Sequence, residues 1–489
     1  MLLTIVSLCL GAFAFGQVDD EWDAFLKQSN SEFEQFKTKA DQDYENFRKQ
    51  INEEYSRFMA QHWGSADALP AMDIPWKPEP PKPVVADPEA RPQSTPIPYT
   101  PPIQPKPIVR PEPVAPIKPQ SKPVTPTQPA KPQRQVRMFG TDFGFTIDNA
   151  HQIKLKDLSE KSVADLWGEI CDLYFDNILA ECLQHRDQRK MCDWAYFLLT
   201  QNVAEACCGG HTNESVVLHM YLLTQSGFKV RIARASDKLT VLLGSDEIIF
   251  QRSFLNLEGG MFYLMDNSLK GSRFYVFDHA FPKEHSFSLA ITQPQFSVTK
   301  TNQRTVKSRR YADASATVAT NKNLIDFYNT YPLSSQWQYY SAASLSEQVK
   351  SSLYPVLRKA IQGKSEIDAA NILINFVQTG FEYATDDDQF GYERPLFPDE
   401  TFFYPYSDCE DRSILFANLV RELMGLEVVL LHYPGHLATA VHFNDNVLGD
   451  YLMVDGKKYI VSDPTYIGAC IGMCMPQFKE VKAEVVKFN

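Results

Sequence analysis

The sequence predicts an α+β fold: helices packed on antiparallel sheets in two globular units, entered through a long N-terminal helix and a proline-rich linker. Three observations predict it. Aromatic residues recur every eleven positions between Trp22 and Phe58. Of the 32 prolines, 22 crowd between Pro70 and Pro132. From Met138 onward, apolar positions at helical spacing give way to short apolar strands joined by turn residues, once in each half of the remaining chain.

The chain opens on "MLLTIVSLCLGAFAFGQ", an apolar run of about 15 residues, too short to span a bilayer. Ala14 and Gly16 are small residues placed for cleavage before Gln17, so residues 1–16 read as a secretory signal peptide, although its start lacks Lys or Arg. The expected destination is outside the cell, or the periplasm or cell envelope. No later run is apolar enough to cross a membrane, so an integral membrane protein is not expected. The net charge of −12 argues against a chain built to grip nucleic acid. Eight cysteines follow Cys9, and an oxidising compartment permits disulfides. Cys207 and Cys208 are adjacent, and Cys470 and Cys474 have no second pair to match them. That is no zinc pattern, and no metal or other cofactor is expected.

Residues 17–64 predict one long amphipathic helix. In register the repeats are "WDAFLKQSNSE", "FEQFKTKADQD", "YENFRKQINEE" and "YSRFMAQHWGS". An eleven-residue period is ~3.67 residues per turn, so the rings form one nearly straight stripe. A charged surface with such a stripe suits coiled-coil-like self-association, or a partner helix, through residues 20–62. Residues 65–137 read as a disordered Pro-rich linker favouring polyproline II. At ~3.1 Å per residue, the stretch from Pro70 to Pro132 reaches on the order of 190 Å, as a spacer or as a ligand for a proline-binding module.

Residues 138–282 form the first globular unit. They hold helical patterns ("SVADLWGEICDLYFDNILAECL", "KMCDWAYFLLTQNVAEAC"), a helix–strand passage ("ESVVLHMYLLTQSGFKVRIAR") and the strand-like runs "KLTVLL", "EIIFQRSF" and "MFYLMD". Residues 283–345 lean toward β structure and connect the halves. Residues 346–489 form the second unit, with helices in "LSEQVKSSLYPVLRKAI" and "SEIDAANILINFVQTGF".

The second unit carries the candidate site. In "SDCEDRSILFANLVREL", Ser407 and Asp408 are good N-caps, and Ser407 with Glu410 has capping-box spacing. Cys409 therefore lies in the first turn, where unpaired N–H groups and the helix dipole stabilise a thiolate. The flanking acids oppose this, so a basic partner is needed. Downstream, "YPGH" is a turn between two apolar strands and His436 begins the second of them. Asp455-Gly456 signals a tight hairpin whose last strand ends at Asp463. In an antiparallel sheet the start of one strand lies beside the end of a later one, which sets Asp463 next to His436. Nucleophile, base and orienting carboxylate then converge.

"SDCEDRSILFANLVRELMGLEVVL", "PGHLATAV" and "VDGKKYIVSDPTY" together resemble the transglutaminase-like superfamily of papain-like thiol enzymes, over roughly residues 365–476. "FVQTGFEY" and "FPDETFFYPYSDCED" resemble segments that bacterial and archaeal members carry before the nucleophile. "HLATAV" departs from the aromatic and acidic residues that many members have after the histidine. The resemblance implies a papain-like α+β fold and acyl transfer on a peptide or protein amide. Catalytic Cys409 attacks, His436 moves protons and Asp463 orients it. The oxyanion donors are the Cys409 N–H and, as a side-chain candidate, Gln378.

A fainter copy stands in the first unit. "HTNESVVLHMYLLTQSGFKVRIAR" aligns with "CEDRSILFANLVRELMGLEVVLLH", placing His211 against Cys409 and Lys238 against His436, and, with gaps, Asp266 against Asp463. Residues 138–282 thus read as a degenerate transglutaminase-like domain that has lost its thiol, with Cys208 three residues too early to replace it.

Overall fold

The computed structural model describes residues 17–74, 84–104, 111–112, 133–147, 152–172, 175–266, 269, 273–291, 295–334 and 336–488. The expected signal peptide lies outside the described residues. The fold is α+β, with antiparallel sheets throughout. Among the described residues no helix is long and apolar enough to cross a membrane.

Helix α1 (Gln17–Met59) realises the eleven-residue repeat. Its last third docks: Tyr55 and Met59 are buried, and Arg48 forms a buried ion pair with Asp176. Phe33 and Phe36 remain exposed. After α1 comes β1 (Gly64–Asp67), then a hairpin of β2 (Gln133–Met138) and β3 (Thr141–Thr146). Four helices follow: α2 (Glu160–Asp172), α3 (Phe175–Gln188), α4 (Asp193–Cys208) and α5 (Asn213–Gln225). Strands β4 (Val230–Ala235), β5 (Lys238–Gly244), β6 (Phe254–Leu257), β7 (Gly260–Leu264) and β8 (Arg273–Phe277) complete the first unit. "EIIFQRSF" yields strand only from Phe254, because Phe250 bonds outward, its N–H donating to the Leu333 carbonyl at 3.0 Å.

The connecting region divides between the two units. Phe287, Leu289 and Phe296, with residues of α6 (Lys322–Tyr328) and α7 (Trp337–Ala342), join the first core. The hairpin β9 (Arg304–Lys307) and β10 (Ser315–Val318) buries Val306 and Ala316 in the second. The second unit continues with α8 (Glu347–Ile361), α9 (Glu366–Gly380), α10 (Asp386–Phe390), α11 (Pro398–Phe403) and α12 (Cys409–Met424). Its strands are β11 (Glu427–Tyr433), β12 (His436–His442), β13 (Tyr451–Val454), β14 (Lys457–Ser462) and β15 (Glu484–Val486). Asp455 and Gly456 both adopt positive φ, as a tight two-residue hairpin requires.

The two large sheets repeat one topology. The second runs β13-β14-β12-β11-β15. The first runs β6-β7-β5-β4-β8, with β1 added at its edge. Helix α5 leads into β4 as α12 leads into β11, and glycines at positive φ (Gly227 and Gly425) end both helices. A glycine at positive φ just before the strand, Gly425 as the C-cap of α12 and Gly227 one residue past the Ser226 C-cap of α5, is the local reason both halves turn alike.

The Pro-rich segment departs from a free linker wherever it is described. Ala86 and Ile97 are buried in the apolar layer on the sheet face away from α12. Backbone bonds stitch residues 84–103 along the second unit. The Ala86 N–H donates to the Ile467 carbonyl at 2.9 Å, Ile97 to Tyr451 at 2.7 Å and Thr100 to Ala483 at 2.8 Å. Further on, the Pro111 carbonyl accepts from buried Arg186 in the first unit at 3.0 Å. A Cβ on Gly227 would lie 2.2 Å from the Glu112 carbonyl, so only glycine admits the strap there. Proline lacks an N–H and holds its own φ, so such a chain pairs through its non-proline residues at little entropic cost.

Candidate functional site

Helix α12 starts on Cys409, with Asp408 as N-cap. The capping box stands one residue later than expected: the Asp408 N–H donates to Asp411 Oδ2 at 3.2 Å. Ser407 instead accepts from Arg412 Nε at 3.2 Å. The whole first turn is buried, with Cys409 2% exposed. Its Sγ donates to Glu410 Oε2 at 3.0 Å. A carboxylate this close to a sulfur disfavours its anion.

His436 begins β12 and Asp463 follows β14, as the strand argument requires. His436 Nε2 lies 2.8 Å from Asp463 Oδ2, and both side chains are buried. The other carboxylate oxygen of Asp463 accepts the N–H groups of Thr465 at 2.8 Å and Tyr466 at 3.2 Å. Asp463 is thereby fixed from both sides, and it takes Nε2, leaving Nδ1 as the nitrogen for proton exchange. The ring of His436 stacks on Phe478, centroids 4.7 Å apart and planes at 4°. One turn beyond Cys409, Ser413 Oγ donates to the carbonyl of Leu437, next to His436, at 2.7 Å. This bond ties the first turns of α12 to the start of β12.

Gln378 is in a different role from the one expected. Its amide nitrogen donates to the carbonyls of Asp463, Tyr466 and Ala469 at 3.3, 2.8 and 3.2 Å, and its oxygen accepts from Gly468 N–H at 3.2 Å. The amide is committed to bracing the loop behind Asp463, which leaves the oxyanion expectation without a free side-chain donor. His442 bonds the Lys458 carbonyl and His432 meets Glu484, both away from Cys409.

Several neighbours carried no sequence signal. Asp386, Glu393 and Glu410 bring ligand atoms within 4.8 Å of one another, as do Asp386 with Asp408 and Asp411, and Asp408 with Cys409 and Glu410. Such groupings have the spacing to share a cation or protons. Burial raises Asp386 well above the usual carboxylate range, and Asp411, Glu410 and Glu393 add to it, which favours a shared proton. Arg412 supplies the opposing charge. Its guanidinium bonds the carbonyls of Gln378 and Phe381 at 3.3 and 3.0 Å and lies 5.3 Å from the Tyr383 ring. Burial lowers it to about 10, against the pull of Tyr383, Asp408, Asp411 and Cys409.

The first unit places different chemistry at the matching points. Helix α5 begins at Asn213 behind a Thr212 N-cap, so Asn213 rather than His211 takes the helical position of Cys409. His211 is exposed beside Glu205 at 2.9 Å. Asn213 bonds across to the strand start: Nδ2 donates to the Asp237 carbonyl at 3.1 Å, and its oxygen accepts Leu239 N–H at 2.8 Å. Lys238 begins β5 as His436 begins β12, and Asp266 follows β7. Cys208 closes α4, its thiol pushed up to about 12 by burial, with Glu214 adding to it. Among the described residues, none of the eight cysteines from Cys171 to Cys474 forms a disulfide. The sequence matches no family model, and neither a curated protein nor a solved structure matches it.

Proposed function

We propose that the chain is a secreted or envelope thiol-dependent amide hydrolase of transglutaminase-like fold. The observation that supports this best is the buried His436–Asp463 pair at 2.8 Å, tied to the helix that begins on Cys409. In this reading the Cys409 proton passes to His436 Nδ1 and the sulfur attacks a carboxamide carbon. The tetrahedral oxyanion is held by the Cys409 N–H. His436 returns the proton to the departing amine as the C–N bond breaks, leaving a thioester. Water then adds, giving its proton to His436, and the C–S bond breaks to release the acid. An amine in place of water makes the same site a protein-crosslinking transferase.

Two observations favour a third reading, an envelope scaffold that uses the fold for binding. Cys409 and His436 are both buried, and α1 presents exposed rings suited to a second copy or a partner helix. An amide substrate library separates the readings. Hydrolysis predicts release of free acid that falls at least about a thousandfold in Cys409→Ser. Incorporation of a labelled amine marks the transferase. Equal background in wild type and Cys409→Ser, with Cys409 inert to alkylation in the folded chain, leaves the scaffold.

A further inference from the structure

Two turns of α1 carry largely exposed rings. Phe33 and Phe36 are 62% and 73% exposed, and every described side chain from residue 27 to residue 39 is exposed. Glu45 and Asn46 already border a cavity shared with Gly168, Cys171 and Tyr221, and Arg48 is the first buried side chain among those described, so the exposed stretch lies before them. A contiguous apolar stripe on a charged helix marks an interaction surface.

We infer that this stretch pairs with the same stretch of a second copy, antiparallel, about a two-fold axis between residues 34 and 35. The inference deepens the assembly reading of α1 given above and rests on it; it is independent of the thiol. Charge selects the arrangement. An acid precedes the first aromatic of successive repeats (Glu21, Glu32, Asp43), and a base follows the second aromatic in two of them (Lys37, Arg48). In a parallel, in-register pair every charge meets its own copy. Antiparallel about this axis, Phe33 faces Phe36, Phe25 faces Tyr44 and Trp22 faces Phe47. Glu32 then faces Lys37 and Asp20 faces Lys49, and no like charges stand directly opposed.

The docked third fixes the register. Sliding one repeat toward the C-terminus sets the partner against Tyr55, which is already buried. The register centred between residues 34 and 35 ends at Lys49, beside the docked Arg48, and leaves the Arg48–Asp176 pair, Asn52, Tyr55 and Met59 in place. At ~1.5 Å per residue, the two Met59 ends then stand roughly 70 Å apart, with the globular bodies at opposite ends of the paired rod. The arrangement is isologous and closes as a dimer.

Sedimentation velocity of the full chain over a concentration series tests this. A dimer is expected. Lys37→Glu sets two like-charge contacts into it and weakens it on the order of tenfold. Glu32→Lys does the same, and the two exchanged together restore the wild-type constant. Circular dichroism checks that each variant keeps its helix. In a mixture of isotopically light and heavy chains, carbodiimide is expected to join Glu32 of one to Lys37 of the other. A dimer indifferent to Lys37→Glu and lacking that mixed cross-link overturns the antiparallel register while sparing self-association. A monomer at every concentration overturns both, and neither result bears on Cys409.

Discussion

Cys409 sits between two influences of opposite sign. Its place in the first turn of α12 favours thiolate, while Glu410 Oε2 at 3.0 Å disfavours it. Removing that negative charge makes ionisation easier, so Glu410→Gln is expected to lower the pH midpoint of Cys409 alkylation. Mass spectrometry of the Cys409 peptide reads this apart from the other thiols. An unchanged or higher midpoint means that Glu410 does not govern the sulfur. At this scale the candidate residues were legible because each stood at a chain landmark: a capped helix start, a strand start after "YPGH", and a strand end before Asp-Pro. Gln378 stood at no such landmark. The carbonyls of Asp463, Tyr466 and Ala469 that engage it come from a loop with no sequence pattern of its own.

Helix α5 shows how an element records its burial in proton affinity. His219 is sealed edge-on to Phe197 and bonds that residue's carbonyl at 3.2 Å. Burial lowers it from 6.5 to about 3. Between those values the unfolded chain binds a proton that the folded chain refuses. The contribution of His219 is therefore fully present above pH 6.5 and is lost as pH falls toward 3, at about 1.4 kcal/mol per unit. Denaturant titrations at pH 7 and pH 5 are expected to show wild type losing about 2 kcal/mol more than His219→Gln. Identical losses would falsify the assignment. The helices and the paired strands were readable because their periods, 3.6 and 2, are local properties. The N-terminal boundary of α5 was not: aligning it without gaps on α12 hid the Thr212 cap, and so set His211 where Asn213 belongs.

For the whole molecule, the strap is the feature that sequence concealed. Its prolines announce a segment without a core of its own. Nothing in residues 84–103 signals that Ala86, Ile97 and Tyr99 have seats on a sheet more than three hundred residues away. Ile97→Ala is expected to cost about 2–3 kcal/mol, as a buried aliphatic truncation does. It should also expose residues 84–104 to protease cleavage that the native chain resists. Cleavage at equal rates in both would mean the strap does not hold. Threading of this kind also imposes an order in time. Thr100 waits for Ala483, which lies 383 residues later in the chain. At roughly 5–20 residues per second, the ribosome delivers that partner about 20–80 s after the strap itself has emerged. The nascent polypeptide must therefore keep its early extended stretch unclaimed until Ala483 has emerged, and a chain cut short before that residue would strand it.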